Sequence, residues 1–458
     1  MYIQKKFFIS VINDVDWYGP DLPENLNLTV DSRTIKPGHI FVAVKGQKQD
    51  GHDYIHEALT RGARAVIAEY LPAEIIPDGT ITYIVVKNTL EAVIAVAQAW
   101  RNQLNIPVVG ITGSVGKTTT KELLGEIVQA AGKKVLVSQG NQNTVLGISL
   151  TMWSLRKDHE IAIFEMGISK KGEMSRMANL VRPTLGVITY IGHSHMLGLG
   201  SCDDIAAEKR EIFSYFKQDS IGIIQGDQKV LTDVAYNHPI IKFGNKMSHQ
   251  VQLRKVIVQH DHITCTMKIY NEKFNLVIPT TNKGFLNCML AATAAAYVLG
   301  VSNKVIIHTI QKPLVVAGRY EKKLLPDNKG IIINDAYNAS PESMKAALLA
   351  FEKVRAKNKI AVLGDMLELG DLSGFWHRQI GRFLKKVPSL THLILVGDQV
   401  SFIQKTAPLG LSCILVSTWK EAISPLTEFA AQRDTAILVK ASRGIALNNL
   451  VDVLQKNA

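Results

Sequence analysis

The 458-residue chain has no long uninterrupted apolar run. No window approaches the roughly 18 continuous apolar residues of a bilayer-crossing helix, so stable membrane insertion is not expected. The opening stretch carries Lys5 and Lys6, then only Phe7, Phe8 and Ile9 before polar Ser10, too little for the apolar heart of a secretion signal. Cysteine is scarce. Cys202, Cys265, Cys288 and Cys413 are scattered, with neither a C-x-x-C pair nor the spacing of a disulfide framework. Free thiols in a reducing cytoplasm are expected. Internal repeats and low-complexity tracts are missing too. Also missing is a long basic arm, although 52 Lys and Arg against 40 Asp and Glu give a formal charge of +12. The basic residues come in short pairs such as Lys133-Lys134 and Lys385-Lys386, without interleaved aromatics, so no nucleic-acid partner is expected. A large anionic substrate or a weak attraction to a membrane surface accounts for the charge equally well.

With 47% hydrophobic and 20% charged residues the chain reads as folded, and its length calls for about three domains. Residues 1–105 hold short strand-like runs (40–44, 65–68 and 82–86) and a helix-like stretch, Leu90 to Trp100, ending at a linker, Asn105-Ile106-Pro107. Residues 106–313 alternate apolar runs (161–164, 186–189 and 222–224) with helix-length segments. That pattern implies an α/β unit with a mostly parallel sheet. Residues 314–458 repeat the alternation, with strands expected at 330–333, 360–363, 393–396 and 436–439. Each of these ends in small or polar residues, and such strand tips form the binding rim of an open α/β sheet.

The most informative segment is Gly110-Ile-Thr-Gly113-Ser-Val-Gly116-Lys117-Thr118-Thr119-Thr120. It follows a short apolar run and precedes a helix-compatible stretch, Lys121 to Ala131. Strand, glycine loop, lysine, hydroxyl and helix together make a triphosphate cradle. Glycines let backbone N–H groups turn toward phosphate oxygens, and the helix N-terminus adds its dipole. Gly113, Ser114, Val115, Gly116 and Thr119 would line the loop, Lys117 would reach the β- and γ-phosphates, and Thr118 would bind Mg²⁺. The strict G-x-x-x-x-G-K-[ST] spacing is not met, because Ile111 stands where a glycine is required.

Other candidates are individually ambiguous. Glu165 ends an apolar strand, where it could hold Mg²⁺ or simply be solvated. His193 and His195 form an H-x-H pair that suits either a metal or ordinary loop hydrogen bonding. Lys209, in Ala206-Ala-Glu-Lys-Arg-Glu-Ile-Phe213, reads alone as a charge on a helix face. Asp335 could meet a ribose and Tyr337 a base, with Asn338 beside them, or all three could serve turn chemistry. Arg319, near a domain boundary, could contact phosphate.

Taken together these segments resemble the Mur ligases. Asp31-Ser-Arg-Thr-Ile-Lys-Pro-Gly38, Phe41-Val-Ala-Val-Lys-Gly46 and Asp50-Gly-His52 are similar to the family's UDP-sugar-binding domain. The loop Gly113–Thr120 matches its nucleotide loop, including the altered spacing, and Gly140-Asn-Gln-Asn143 with Gly147 matches a substrate loop. Asp335-Ala-Tyr-Asn-Ala-Ser-Pro341, Leu363-Gly-Asp-Met-Leu-Glu-Leu-Gly370 and Val439-Lys-Ala-Ser-Arg-Gly444 resemble the branch that adds D-alanyl-D-alanine to UDP-N-acetylmuramoyl-tripeptide.

The resemblance implies three domains: a small N-terminal α/β domain for the UDP-substrate, a central ATPase-like domain and a Rossmann-like C-terminal domain. It implies ATP and Mg²⁺ as cofactors and catalytic roles for Lys117, Lys209 and His195. Thr118, Glu165, His195 and a carbamylated Lys209 would serve metal, Asn287 and Arg319 would contact ATP, and Asp335 would lie near the ribose. Ser32, Arg33, Asn141 and Asn143 would face the UDP-substrate, and Lys440, Ser442 and Arg443 the dipeptide. A cytoplasmic monomer is expected. The chain departs from the family pattern at Lys283-Gly284, Tyr190, Leu197, Thr144, Asn334 and Ala441. Another ligase of the superfamily, either the third-residue-adding Mur enzyme or a folylpolyglutamate-synthase-like one, and a non-catalytic nucleotide-binding regulator of wall synthesis are the competing readings.

Overall fold

The computed structural model describes residues 5–22, 27–46 and 49–456. Its α/β architecture rests on three sheets, as the alternating apolar blocks imply. The first sheet runs, edge to edge, through Val15–Tyr18, Thr82–Val86, Ala65–Ala68, Ile40–Val42 and Leu28–Thr29. Only the pairing of Val15–Tyr18 with Thr82–Val86 is antiparallel. The helix Thr89–Gln103 leaves this sheet and packs on the helix Val145–Trp153, part of the next unit. Trp100 Nε1 donates to Leu155 O at 2.8 Å, and Trp153 Nε1 donates to Val93 O at 3.2 Å. Phe8, Ile40, Val93, Trp100, Trp153 and Phe164 accordingly belong to one continuous apolar core.

The central sheet has a parallel body built from Val135–Val137, Ile161–Glu165, Val108–Thr112, Leu185–Ile188, Ile221–Gln225 and Ile240–Gly244. Val251–Val258, Ile263–Ile269 and Glu272–Ile278 extend one edge, the last two pairings being antiparallel. Alternation of buried and half-buried residues in Ile263–Ile269 marks this extension as covered on one face only, the pattern of an antiparallel ribbon.

Strand Val108–Thr112 sits between Ile161–Glu165 and Leu185–Ile188, all three parallel, and it is the one that runs into the phosphate loop. The third sheet runs Glu321–Leu324, Gly330–Asn334, Thr435–Lys440, Asn358–Gly364, His392–Val396 and Ser412–Val416. Every pairing there is parallel except the first. Residues at the carboxyl tips of the central and third sheets line one cavity between them, the position where open α/β sheets hold ligands. No helix among the described residues is long and apolar enough to cross a membrane.

Candidate active site between the central and C-terminal sheets

The phosphate loop takes its shape from two glycines. Gly113 has φ 149°, and a Cβ there would come within 2.0 Å of Thr189 Oγ1; Gly116 has φ 91° and caps the helix Lys117–Ala130. No side chain caps that helix, so its first N–H groups are left for a ligand. Lys117 Nζ donates to Gly113 O at 2.8 Å. Crowding by protein atoms pushes its pKa down, against the pull of Glu165. Thr118 is buried, and its Oγ1 accepts from Arg319 Nη2 at 3.3 Å, a contact between the central and C-terminal units.

Glu165 ends its strand buried. Asn143 Nδ2 donates to its Oε1 at 3.0 Å, while Oε2 is buried without a partner. Asn143, expected on the UDP-substrate side, therefore holds the carboxylate. Lys209, far from being a charge on a solvated helix face, is 1% exposed, and its Nζ has no partner. Burial, and then the charge of Lys117, hold its pKa well below the ordinary lysine value. An orphaned carboxylate oxygen and an orphaned amine near a phosphate loop fit a site completed by a metal and a polyphosphate. Thr118 and Glu165 could hold Mg²⁺ with phosphate oxygens. Among the described residues no cluster of His, Cys, Asp and Glu makes a protein-only cage.

His195, at φ 62°, pairs through Nδ1 with Glu368 of the C-terminal unit. His193 pairs with Glu342 at 2.5 Å and lies against Trp376. Both histidines thus bridge the cleft, and only Nε2 of His195 is left for a metal.

A cavity of about 260 Å³ opens beside the loop, lined by Val115, Gly116 and Thr119 on one side and Arg319, Asp335 and Lys440 on the other. Cys288 and Phe285 form its floor, while Asn287, one residue away, is half-buried and does not line it. A Cβ on Gly116 would approach Cys288 Sγ to 2.8 Å, and burial pushes that thiol up to about 11. Asp335 is engaged on both oxygens, by Tyr320 N–H at 3.0 Å and Lys440 Nζ at 2.7 Å. Lys440, expected to face the dipeptide, is buried at this cavity. Burial lowers its pKa against the opposing pull of Asp335.

Tyr337 lies under Arg319 at 4.0 Å and Arg443 at 5.4 Å and does not line the 260 Å³ cavity. With Asn338, Ser442 and Arg443 it lines a second cavity of about 160 Å³ that also contains His193, His195 and Glu368. A third cavity, about 400 Å³, separates the first and central sheets, with Thr29, Thr34, Lys36, His39, Gln139 and Gln142 in its walls. Ser32 is instead turned to Glu57, Arg33 pairs with Asp31 at the surface, and Asn141 is exposed. These lining polar residues lie one to six positions from the expected ones, a shift that motif reading alone does not resolve.

Residues 111–296 match the Mur ligase middle domain, 318–443 the Mur ligase glutamate ligase domain, and 26–117 the Mur ligase family catalytic domain. UDP-N-acetylmuramoyl-tripeptide–D-alanyl-D-alanine ligase of Bacillus subtilis is 34% identical over 93% of this chain and 92% of its own length. The chain belongs to the Mur ligase family. The enzyme of the same name from Rickettsia prowazekii is 32% identical over 93% and 94%. Among solved Mur ligases, MurF from Acinetobacter baumannii superposes with TM-score 0.83 at 25% identity, covering 99% of this chain and 98% of that one. MurF from Thermotoga maritima in complex with ADP superposes with TM-score 0.79 at 26% identity, over 95% and 99%.

Proposed function

We propose that this Mur ligase joins D-alanyl-D-alanine to UDP-N-acetylmuramoyl-tripeptide at the expense of ATP, in peptidoglycan precursor synthesis. The observation that carries the reading is the phosphate loop opening on a cleft shared by two strand-tip rims, in a chain aligned over 93% of its length with ligases of that name. Joining a carboxylate to an amine in water is uphill, so the acid must first be activated. The tripeptide carboxylate attacks the γ-phosphate of ATP, ADP leaves, and an acyl phosphate forms. The dipeptide amine then attacks the acyl carbon and expels phosphate.

Two anions meet in the first step, and the barrier is lowered by charge neutralisation and in-line positioning. Lys117 and the N–H groups of Gly113–Thr119 receive the triphosphate, and Arg319 closes over Thr118 from the C-terminal unit. Bound Mg²⁺ would add positive charge between phosphate and carboxylate, held by Thr118 and Glu165. Burial, which lowers the Lys209 pKa, favours the neutral amine that takes up CO₂, and a carbamate there would turn a repelled amine into an anionic ligand.

The reading divides the chain into a UDP-substrate domain (1–105), an ATP domain (106–313) and a closing domain (314–458). The inter-sheet cavity with Thr29, Thr34 and Gln142 takes the UDP-sugar. Ser442 and Arg443, at the second cavity, face the dipeptide, whose carboxylate suits a guanidinium. The protein acts in the cytoplasm, where its nucleotide substrates are. Incubation with ATP, UDP-N-acetylmuramoyl-tripeptide and D-alanyl-D-alanine should yield a product heavier by one dehydrated dipeptide. Acceptance of single amino acids in its place, or ATP binding without product, would favour the competing readings.

A further inference from the structure

Gln228 plays no part in the mechanism above, yet its side chain makes a two-point contact with the loop that carries both cleft histidines. It stands in Gln225-Gly226-Asp227-Gln228, at the carboxyl end of strand Ile221–Gln225 and just before the short helix Lys229–Thr232. Its side-chain N–H donates to Ile191 O at 2.7 Å, and its side-chain carbonyl accepts from Ile191 N–H at 2.8 Å. One carboxamide thus reproduces a β-bridge to a single loop residue.

The neighbouring carbonyls are received by the phosphate loop. Ser114 N–H donates to Tyr190 O at 2.6 Å, and Ser114 Oγ donates to Gly192 O at 3.0 Å. Three consecutive carbonyls, of residues 190, 191 and 192, are therefore fixed, two by the nucleotide loop and one by Gln228. Immediately beyond them, His193 pairs with Glu342 and His195 with Glu368 on the opposite wall. Ile191 itself is buried.

We propose that Gln228 is a positioning residue: it clamps loop 190–195 so that His195 is held in register with the phosphate loop when the C-terminal domain closes. This deepens the ligase reading and rests on it. Ser114 N–H already holds the planar peptide of Tyr190 O and Ile191 N–H, but no Ser114 bond reaches Ile191 O, so without Gln228 the 191–192 peptide could turn and displace His195. Displacements of about 1 Å in such machinery cost up to about a hundredfold in rate.

The test uses Gln228→Glu in the full chain, which keeps shape but replaces the donor facing Ile191 O with a repelling carboxylate oxygen. Should that variant fold poorly, Gln228→Asn, too short to span both atoms, takes its place. Amide hydrogen exchange in segment 190–195 should quicken while the core strands keep their protection. The kcat for product formation should fall by about tenfold or more, with the KM for ATP changed far less. Because Gln228 acts through His195, the same substitution in a His195→Ala background should cost little further.

Unchanged exchange in segment 190–195, a kcat within about twofold of the parent, or an equal loss in both backgrounds would overturn the clamp. If the parent protein forms no product from these substrates, the ligase reading fails, while the exchange measurement still decides the contact.

Discussion

Lys117 was legible from the sequence because everything that defines it is contiguous: a strand, two glycines that must take positive φ, a lysine and a helix start. Replacing it by Ala should leave the protein folded and lower ADP release with both substrates by about a thousandfold, the scale on which phosphoryl-transfer cations act. A steady-state ADP assay decides this. Lys209 was named only through the family resemblance; its burial was not legible from the residues themselves, because a lysine in Ala-Ala-Glu-Lys-Arg-Glu looks like a solvated charge until tertiary packing covers it. Cys288 was equally hidden, since nothing in the sequence brings it to Gly116. Its thiol, raised to about 11 by burial, should resist iodoacetamide at pH 7.5 in the native state. Peptide mass mapping should find Cys288 unlabelled at that pH, with labelling that rises toward pH 10 and is suppressed by ATP.

The elements themselves were read almost to the residue where apolar runs are short and bounded: 65–68 and 82–86 are strands as expected, and the runs 161–164 and 393–396 are strands one residue longer, 161–165 and 392–396. The three strands spanning 251–278 went unread. Their half-covered alternation mixes polar and apolar residues, and no helix separates them to give the βα rhythm that marked the rest.

The helix Cys202–Arg210, which carries Lys209, is held at its start by a reciprocal cap between Ser201 and Asp204. Ser201→Ala should cost about 1 kcal/mol, measured by denaturant titration. The Ser201 hydroxyl, then Lys171, hold the Asp204 carboxyl down to about 2. Its contribution is therefore present in full above the ordinary aspartate value near 4 and is lost as pH falls through about 2. Thermal midpoints of Asp204→Asn should lie below the parent's at pH 5, and the gap should close between about pH 4 and pH 2. A gap that persists at pH 2 would place the effect elsewhere.

For the molecule as a whole, composition and block structure were enough for three α/β units, and the family resemblance for their order. The sharing of one core by the first two units was not visible, because the helix Thr89–Gln103 reads as the end of the first block while its buried face packs on the second. The cleft between the central and C-terminal units was not visible either. It depends on contacts such as Arg319 to Thr118, some two hundred residues apart in sequence. Since both walls line the cavity proposed for the nucleotide, ATP should slow amide exchange in 113–119 and 313–322 together, and Arg319→Ala should uncouple the second segment from the first.

The measurement that tests the chemistry most directly is the fate of an oxygen atom. With ¹⁸O in the terminal carboxylate of the UDP-N-acetylmuramoyl-tripeptide, passage through an acyl phosphate carries one labelled oxygen into each inorganic phosphate released with the pentapeptide product. Unlabelled phosphate accompanying product formation would contradict the account.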